Sequence, residues 1–201
     1  MPTTQKINIG PAHILIGDPT VIDGDGMVDL GSMESVSFDP GSEMTGVQDA
    51  FTGDAFDAES IYSVAPSPTA EAELYDASID KLAAMLLGAE KTADTLGFGQ
   101  AGLKAIEDVP TLAIIPAFEA GDGVDAAHGI WMPAAMVESL ASLVYNRPTG
   151  GDNSANSYTV TFRAARRKTD QDSNDIPVSA QMAFMGKPGD LSLTWHLPAL
   201  G

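Results

Sequence analysis

The chain has 201 residues, and its 28 acidic residues against 10 Lys and Arg give a formal net charge of −18. A surface with that average field disfavours tight binding to nucleic acid or to anionic lipid. Cysteine is absent, which excludes a disulfide framework, a thiolate nucleophile and a cysteine metal site. The length favours a single domain, residues 1–201, with its own hydrophobic core.

The first residues lack a basic region followed by an apolar run, and no apolar run reaches the roughly 18 residues of a membrane helix. We therefore expect no membrane association. The charges are uneven, because residues 1–76 hold half of the acidic residues and a single base, Lys6. A basic cluster lies late in the chain and consists of Arg163, Arg166, Arg167 and Lys168. Such a chain could dock head to tail with its copies in rings or filaments. Charge alone favours the other interpretation, a solvated surface without a partner.

The N-terminal third of the chain is predicted to consist of strands and loops. In residues 7–17, apolar side chains occupy both sets of alternating positions, as in a strand whose two faces are both covered. Gly10 and Pro11 would bend this strand. Residues 18–32 form a turn-rich loop, and residues 33–38 alternate as a strand. Residues 39–60 form a long acidic loop, which inside a compact domain is usually functional.

A strand passes directly into a helix near the middle of the chain. Residues 69–75 alternate between apolar and polar side chains, as in a strand with one wet face. Ile79, Leu82 and Leu86 then follow a helical period, and Ser78 suits the N-cap. We predict a packed helix over about residues 78–88, fraying toward residue 96.

The second half is predicted to be mostly strands. Residues 112–119 form a strand in which Pro116 indicates an edge or a bulge. Residues 130–145 fit a helix and a strand equally well, so the period leaves both open. Strands at 157–164, 178–185 and 191–197 form a meander. The whole pattern predicts an α+β fold of mainly antiparallel β structure, a β-sandwich or barrel with one packed α-helix.

No motif in the sequence indicates catalysis. Residues 97–102 match G-x-G-x-x-G, but a helix instead of a strand precedes the first glycine, which argues against a dinucleotide site. No Gly-Lys stands directly before Ser or Thr at phosphate-loop spacing, and His13, His128 and His196 form no H-x-x-x-H pair. We expect no enzyme activity, no cofactor and no bound metal.

One turn leaves a different function open. Residues 21–32 match the middle of a calcium loop at five positions, namely Asp23, Asp25, Gly26, Val28 and Asp29. The first and twelfth positions are Val21 and Ser32, so the outer carboxylates are missing. One hypothesis for the function is therefore an acidic calcium-binding β-domain, an adhesin or accessory module that uses the Asp23 to Asp29 turn. It is the alternative to the structural role described in the next paragraphs.

The order of these features resembles the major tail tube protein of long-tailed bacteriophages. The resemblance rests on three stretches: residues 28–31 leading into the strand 35–38, the long acidic loop, and the junction 74–80 into a single helix. Late in the chain, SYTVTFRAAR at 157–166 is similar to the closing strand of that family. The match covers about residues 5–170; residues 178–201 match the family less clearly, and their role stays open.

The resemblance implies a β-sandwich with one helix that forms hexameric rings, stacked into a hollow tube that passes DNA without sequence-specific binding. It implies a virion protein assembled in the host cytoplasm, with other tail proteins at the tube ends. It does not separate a non-contractile tube from the inner tube of a contractile tail or a secretion tube.

Three groups of residues acquire roles from this comparison. An acidic lining would repel a duplex that carries one charge per about 1.7 Å, and we assign that lining to predicted strand residues Glu34, Glu71 and Glu73. Residues 39–60 resemble the family's extended loop, which reaches a neighbouring subunit or ring through Glu43, Met44, Val47, Phe51 and Phe56. We expect the basic cluster at residues 163–168 to pair with acidic residues of a neighbour.

Overall fold

The computed structural model describes residues 7–9, 11–17, 27–33, 36–41, 44–48, 58–63, 67–75, 78–86, 89–98, 106, 109–117, 128–140, 158–170 and 172–193. Its strands in chain order are β1 Ile7–Ile9, β2 Ala12–Gly17, β3 Met27–Met33, β4 Val36–Asp39, β5 Met44–Gln48, β6 Ala58–Ser63, β7 Thr69–Leu74, β8 Ala89–Thr92, β9 Thr95–Phe98, β10 Thr111–Pro116, β11 Gly129–Met132, β12 Ala134–Leu140, β13 Tyr158–Ala165 and β14 Phe184–Gly186. The α-helix, α1, is Ile79–Met85.

Two five-stranded antiparallel sheets make up the sandwich. Sheet A has the strand order β1-β4-β7-β13-β12, and sheet B has the order β14-β11-β10-β2-β3. Two further hairpins, β5-β6 and β8-β9, stand outside these sheets. The predicted α+β sandwich with one packed helix is thus confirmed, and the sheets remain open sheets with edge strands.

The main core lies between the two sheets. Sheet A contributes every second residue, such as Ala72 and Leu74 of β7 and Phe162 of β13, and sheet B contributes residues such as Ile14 and Ile114. Helix α1 closes this core with two buried side chains, Leu82 and Met85. Because the buried side chains of β7 and β13 repeat with period two, these two strands of sheet A keep one face for solvent.

A second core lies on the other face of sheet B. The chain after β13, which we call the C-terminal segment (residues 166–193), packs its apolar side chains onto that face. The residues of this cluster are Leu15, Ala113, Ile115, Trp131, Ile176, Ala180 and Leu193. Strands β2, β10 and β11 of sheet B are therefore covered on both faces, and every residue from Thr111 to Ile115 is buried. The expectation that β2 is covered on both sides is confirmed for the same reason.

A corner joins the two sheets at Pro133. Strand β11 belongs to sheet B and β12 to sheet A, and Pro133 is the residue between them. The buried hydroxyl of Thr111 donates a hydrogen bond of 2.9 Å to the Pro133 carbonyl. The backbone N–H of Ala135 donates to the Pro110 carbonyl at 2.8 Å. Within residues 130–140, where the sequence fits helix and strand alike, the structure is therefore two strands that change sheet.

Several predicted elements of the first half are wrong in detail. Residues 7–17 do not form one strand, because β1 joins sheet A and β2 joins sheet B. The loop predicted for residues 18–32 contains strand β3, which pairs with β2. Gly31, with φ 114°, supplies the positive φ at the irregular register of that pair. Pro116 does not mark an edge, since β10 is the central strand of sheet B and Pro116 is its last residue.

Helix α1 begins as predicted and ends early. The hydroxyl of Ser78 accepts a hydrogen bond from the Lys81 N–H at 3.4 Å, which confirms the N-cap. The helix ends at Met85, with Leu86 as its C-cap in extended conformation. In place of the fraying helical end, β8 and β9 form a hairpin whose two-residue turn has Ala93 at φ 51°. A positive φ at this position matches the right-handed twist of the two strands.

The predicted C-terminal meander is wrong. Val178–Ala180 and Pro188–Leu191 are short 3-10 helices, and between them the three-residue strand β14 pairs with β11 of sheet B. Strand β13 instead pairs with β7 and β12 of sheet A. The indole of Trp131 holds β14 in place, because its Nε1–H donates to the Gly186 carbonyl at 3.2 Å. The remainder of the last predicted strand, residues 194–197, lies outside the described residues.

Candidate functional site

The outer face of sheet A is the polar face of the sandwich. Strand β7 alternates strictly, with Ala70, Ala72 and Leu74 buried in the core and Glu71 and Glu73 exposed on the other side. Strand β13 alternates in the same way and exposes Thr159 and Arg163. This alternation results directly from the period-two pattern in the sequence, so the exposed position of Glu71 and Glu73 was predictable.

Small hydroxyl side chains surround the two glutamates. In the register of the sheet, Glu71 lies opposite Thr161 on one side and Ser37 on the other, and Glu73 lies opposite Thr159. Directly opposite residues on neighbouring strands share one face of the sheet. The centre of the outer face is therefore negatively charged and otherwise neutral and polar.

One ion pair borders this acidic centre. A bulge between Val137 and Ser139 on β12 adds an extra residue, Glu138, to the strand. The Arg163 guanidinium on β13 pairs with the Glu138 carboxylate. Both side chains are exposed, so the pair adds little to stability. Its electrostatic consequence is that the arginine on this face is neutralised within its own chain.

The other predicted basic residues separate into two kinds. Arg167 is 3% exposed, and its guanidinium donates to the Thr169 carbonyl at 2.8 Å and to the Val109 carbonyl at 3.4 Å. The prediction that Arg167 pairs with a neighbour is therefore replaced by a structural role inside the chain. Arg166 and Lys168 are exposed, and we call these two residues the basic ledge.

The described part of the predicted loop 39–60 includes regular strands. It contains strand β5, which pairs with β6 at register positions from Met44 opposite Ser63 to Gln48 opposite Ala58. We call residues 42–66 the arm. Of the residues assigned to this region, Met44 and Val47 belong to β5, whereas Glu43, Phe51 and Phe56 lie outside the described residues, as does the proposed lining residue Glu34.

Asp29 of the calcium motif lies in strand β3 and already has a partner there. Its Oδ1 accepts a hydrogen bond from the Gly31 N–H at 2.7 Å. Its Oδ2 is 3.5 Å from Nδ1 of His13 on β2. Asp23 and Asp25 lie outside the described residues. Within the described ranges, no three His or acidic side chains come together in a group that could hold a metal ion.

The ground on which the sequence argued against a dinucleotide site is wrong, because strand β9 and not a helix directly precedes the first glycine of the motif. Gly97 and Phe98 are the last residues of β9, in the hairpin beside α1. A dinucleotide loop requires the first glycine to follow a strand and to open a helix. Residues 99–102 lie outside the described part of the chain.

The sequence missed two features of this surface. Glu138 was not a candidate because the period of residues 130–145 fits helix and strand alike, so its face could not be assigned. The buried position of Arg167 had no local signal either, because three consecutive basic residues usually form a solvated surface. Its role depends on the Val109 carbonyl, which is 58 residues away in the chain.

The fold defines an antiparallel β-sandwich with a third layer on one side and a polar acidic face on the other. No protein-family model matches this chain, and no curated protein matches it significantly. Among the helices of the described residues, none combines the length and the apolar character needed to cross a membrane.

Proposed function

We propose that the chain is a structural subunit of a bacteriophage tail tube, which assembles into hexameric rings that stack into a hollow tube for passage of the genome. The observation that carries the proposal is the exposed face of sheet A with Glu71 and Glu73 at its centre. Facing a lumen, these carboxylates would repel the phosphates of a duplex that carries one charge per about 1.7 Å. DNA would then slide through without adhering to the wall.

Burial favours sheet A over sheet B for this role. The outer face of sheet B is covered by the C-terminal segment through an apolar cluster that includes Trp131 and Ile176. A lining must be both polar and accessible, and the outer face of sheet A meets both conditions.

The edges of sheet A support assembly with other copies. Among the described residues, β1 and β12 each have one strand neighbour in the sheet. An edge strand presents unpaired N–H and C=O groups that another chain can use. Because the two edges differ, a copy can add its β1 beside the β12 of the next, which gives a head-to-tail contact that closes into a ring.

In this proposal the assembled protein belongs to the virion, is assembled in the host cytoplasm, and contacts other tail proteins at the ends of the tube. Glu71 and Glu73 form part of the lining, and the arm reaches a neighbouring subunit or ring. The subunit has no catalytic role. We do not propose the calcium-binding alternative, because no group of acidic side chains in the described residues favours it.

Electron microscopy of the concentrated protein tests this function. We expect negative-stain images of hollow tubes or six-membered rings without added calcium. A protein that stays monomeric at every concentration would contradict the proposal. The double variant Glu71→Gln and Glu73→Gln should form the same tubes, because both side chains are exposed and outside the core. A three-dimensional reconstruction with both residues on the outer wall would refute their assignment to the lumen.

A further inference from the structure

Sheet B has one long edge strand. Among the described residues, β3 and β14 each have a single strand neighbour in this sheet. Strand β14 has three residues, whereas β3 has seven, Met27–Met33. An edge strand presents a row of unpaired N–H and C=O groups, and a long edge is a template on which another chain can add a strand. The β3 edge is therefore the place in sheet B where uncontrolled pairing would start.

A bulge interrupts β3 at its centre. Gly31 lies opposite Ile14 of β2 and Asp29 lies opposite Leu15, so Leu30 is the extra residue and has no partner on β2. The Leu30 side chain is 1% exposed within the main core, which fixes this residue in place. Because the extra residue of a bulge is unpaired, its backbone carbonyl needs a donor from elsewhere.

Both polar atoms of the peptide group between Leu30 and Gly31 are bonded to side chains. The ammonium of Lys81, on helix α1, donates a hydrogen bond of 3.1 Å to the Leu30 carbonyl. The Gly31 N–H donates to Oδ1 of Asp29 at 2.7 Å. Helix α1 packs next to β3 and is anchored in the main core, which holds Lys81 at this position. The central peptide group of the edge is thus occupied by the chain's own residues.

We propose that Lys81 closes the β3 edge against strand addition by a second copy of this chain. A second β3 is the partner that the geometry favours, because two identical edge strands can pair antiparallel about a twofold axis. Such pairing requires backbone N–H groups of the incoming strand to reach the carbonyls of the edge. Lys81 occupies the central carbonyl and places a positive charge where an incoming N–H would lie. Natural sheets prevent edge-to-edge pairing with lysines and bulges, and this edge combines the two.

This inference does not depend on the proposed tube assembly, because it concerns a contact that the chain avoids. With the β3 edge closed and β14 limited to three residues, the longer accessible edge for association is that of sheet A, at β12. Lys81 is thereby a specificity-determining residue, which acts by excluding a wrong contact between copies.

The substitution Lys81→Met tests the closure. Methionine keeps an unbranched side chain and a good helix propensity, but it cannot donate to the Leu30 carbonyl. Sedimentation equilibrium, at concentrations below those that give tubes, measures the association constant of two copies. We expect this constant to rise roughly tenfold, because the freed carbonyl provides about one additional backbone hydrogen bond between copies. The lost positive charge makes the net charge of −18 more negative, which opposes association, so net charge does not explain a rise.

Lys91→Met is the matched control. It removes the same charge from a side chain that pairs with the Asp80 carboxylate of α1 instead of a strand carbonyl. Its association constant should stay at the wild-type value, and so should that of Lys81→Arg, which keeps a charged donor. Hydrogen exchange followed by mass spectrometry locates the contact. In associated Lys81→Met, residues 27–33 should gain protection relative to the monomer.

Equal association constants for Lys81→Met and Lys91→Met would overturn the inference. Association in which β12 or β14 gains protection and residues 27–33 do not would overturn it as well. Urea unfolding shows whether each variant is folded under the conditions of the association measurement. If Lys81→Met does not fold, Lys81→Gln takes its place, because its side chain is polar and one atom too short for the same contact. Lys91→Gln is then the control, with the same expected difference.

Discussion

Replacing Trp131 by alanine tests whether the C-terminal segment and sheet B form one cooperative core. The Trp131 side chain is fully buried, and its ring stacks on Phe184 with centroids 6.2 Å apart and planes 9° apart. Truncation of a buried tryptophan to alanine costs about 3–5 kcal/mol through lost burial and the cavity left behind. Loss of the indole N–H also removes the hydrogen bond to the Gly186 carbonyl. Since domains are stable by about 5–15 kcal/mol, the loss is a large fraction of the total.

Urea unfolding followed by far-ultraviolet circular dichroism measures this loss. With a denaturant slope of about 2–3 kcal/mol/M, we expect the midpoint to fall by roughly 1–2 M. Limited proteolysis should then cut first in the C-terminal segment, because β14 is held to the sandwich by three register pairs and the Trp131 contacts.

Met185→Ala is the matched control in the same strand. Met185 follows Phe184 directly but is 62% exposed, so its truncation should change stability by less than about 0.5 kcal/mol. A loss below about 1 kcal/mol for Trp131→Ala would refute the second core. A loss of about 2–5 kcal/mol for Met185→Ala would show that β14 faces the opposite way, with Met185 in the core.

Two further substitutions test the corner and the base of the arm. Thr111→Val removes the buried donor to the Pro133 carbonyl and should lower the free energy of unfolding by about 1–3 kcal/mol, measured by urea unfolding. Gly41→Ala adds a Cβ at φ +62° within 2.4 Å of the Ser67 oxygen, so we expect about 1–3 kcal/mol of strain and loss of tubes in negative-stain images.

Exposed positions of one hairpin provide controls for both substitutions. Thr95→Val and Gly97→Ala change exposed residues of β9 and should alter stability by less than about 0.5–1 kcal/mol. A Thr111→Val variant as stable as the wild type would show that water or another donor satisfies the corner carbonyl. Normal tubes from Gly41→Ala would show that the close approach at the arm base is not required for assembly.

Local patterns predicted the parts of the fold that depend on one strand or one helix. The alternation of residues 69–75 gave the correct faces of β7, and the Ser78 cap gave the correct start of α1. Strand β3 was missed because its Asp and Gly residues are typical of turns. Its strand conformation comes from pairing with β2, which is a tertiary contact and leaves no period in the sequence.

The error at the C-terminal segment has a different cause. Residues 178–185 alternate like a strand, but Ala180 is buried in a 3-10 turn, and Phe184, on the short strand β14, is partly buried against the same cluster. The sequence pattern that indicates this third layer, on the outer face of sheet B, lies in a different part of the chain. Residues 112–115 are apolar on both alternations, which is typical of a strand buried on both faces. A sheet with two apolar faces requires a second cover, and residues after β13 were the chain left to provide it.

The contrast between the two sheets also limits where a partner can bind. A third layer covers sheet B, so its outer face is already occupied by the chain's own residues. In sheet A, the apolar residues of strand β7 face the core. Glu71 and Glu73 on the same strand are exposed to solvent, opposite threonine and serine residues of the neighbouring strands. Recognition by the described part of this chain must therefore be polar on the sheet face, or must use the backbone of the edge strands and the arm.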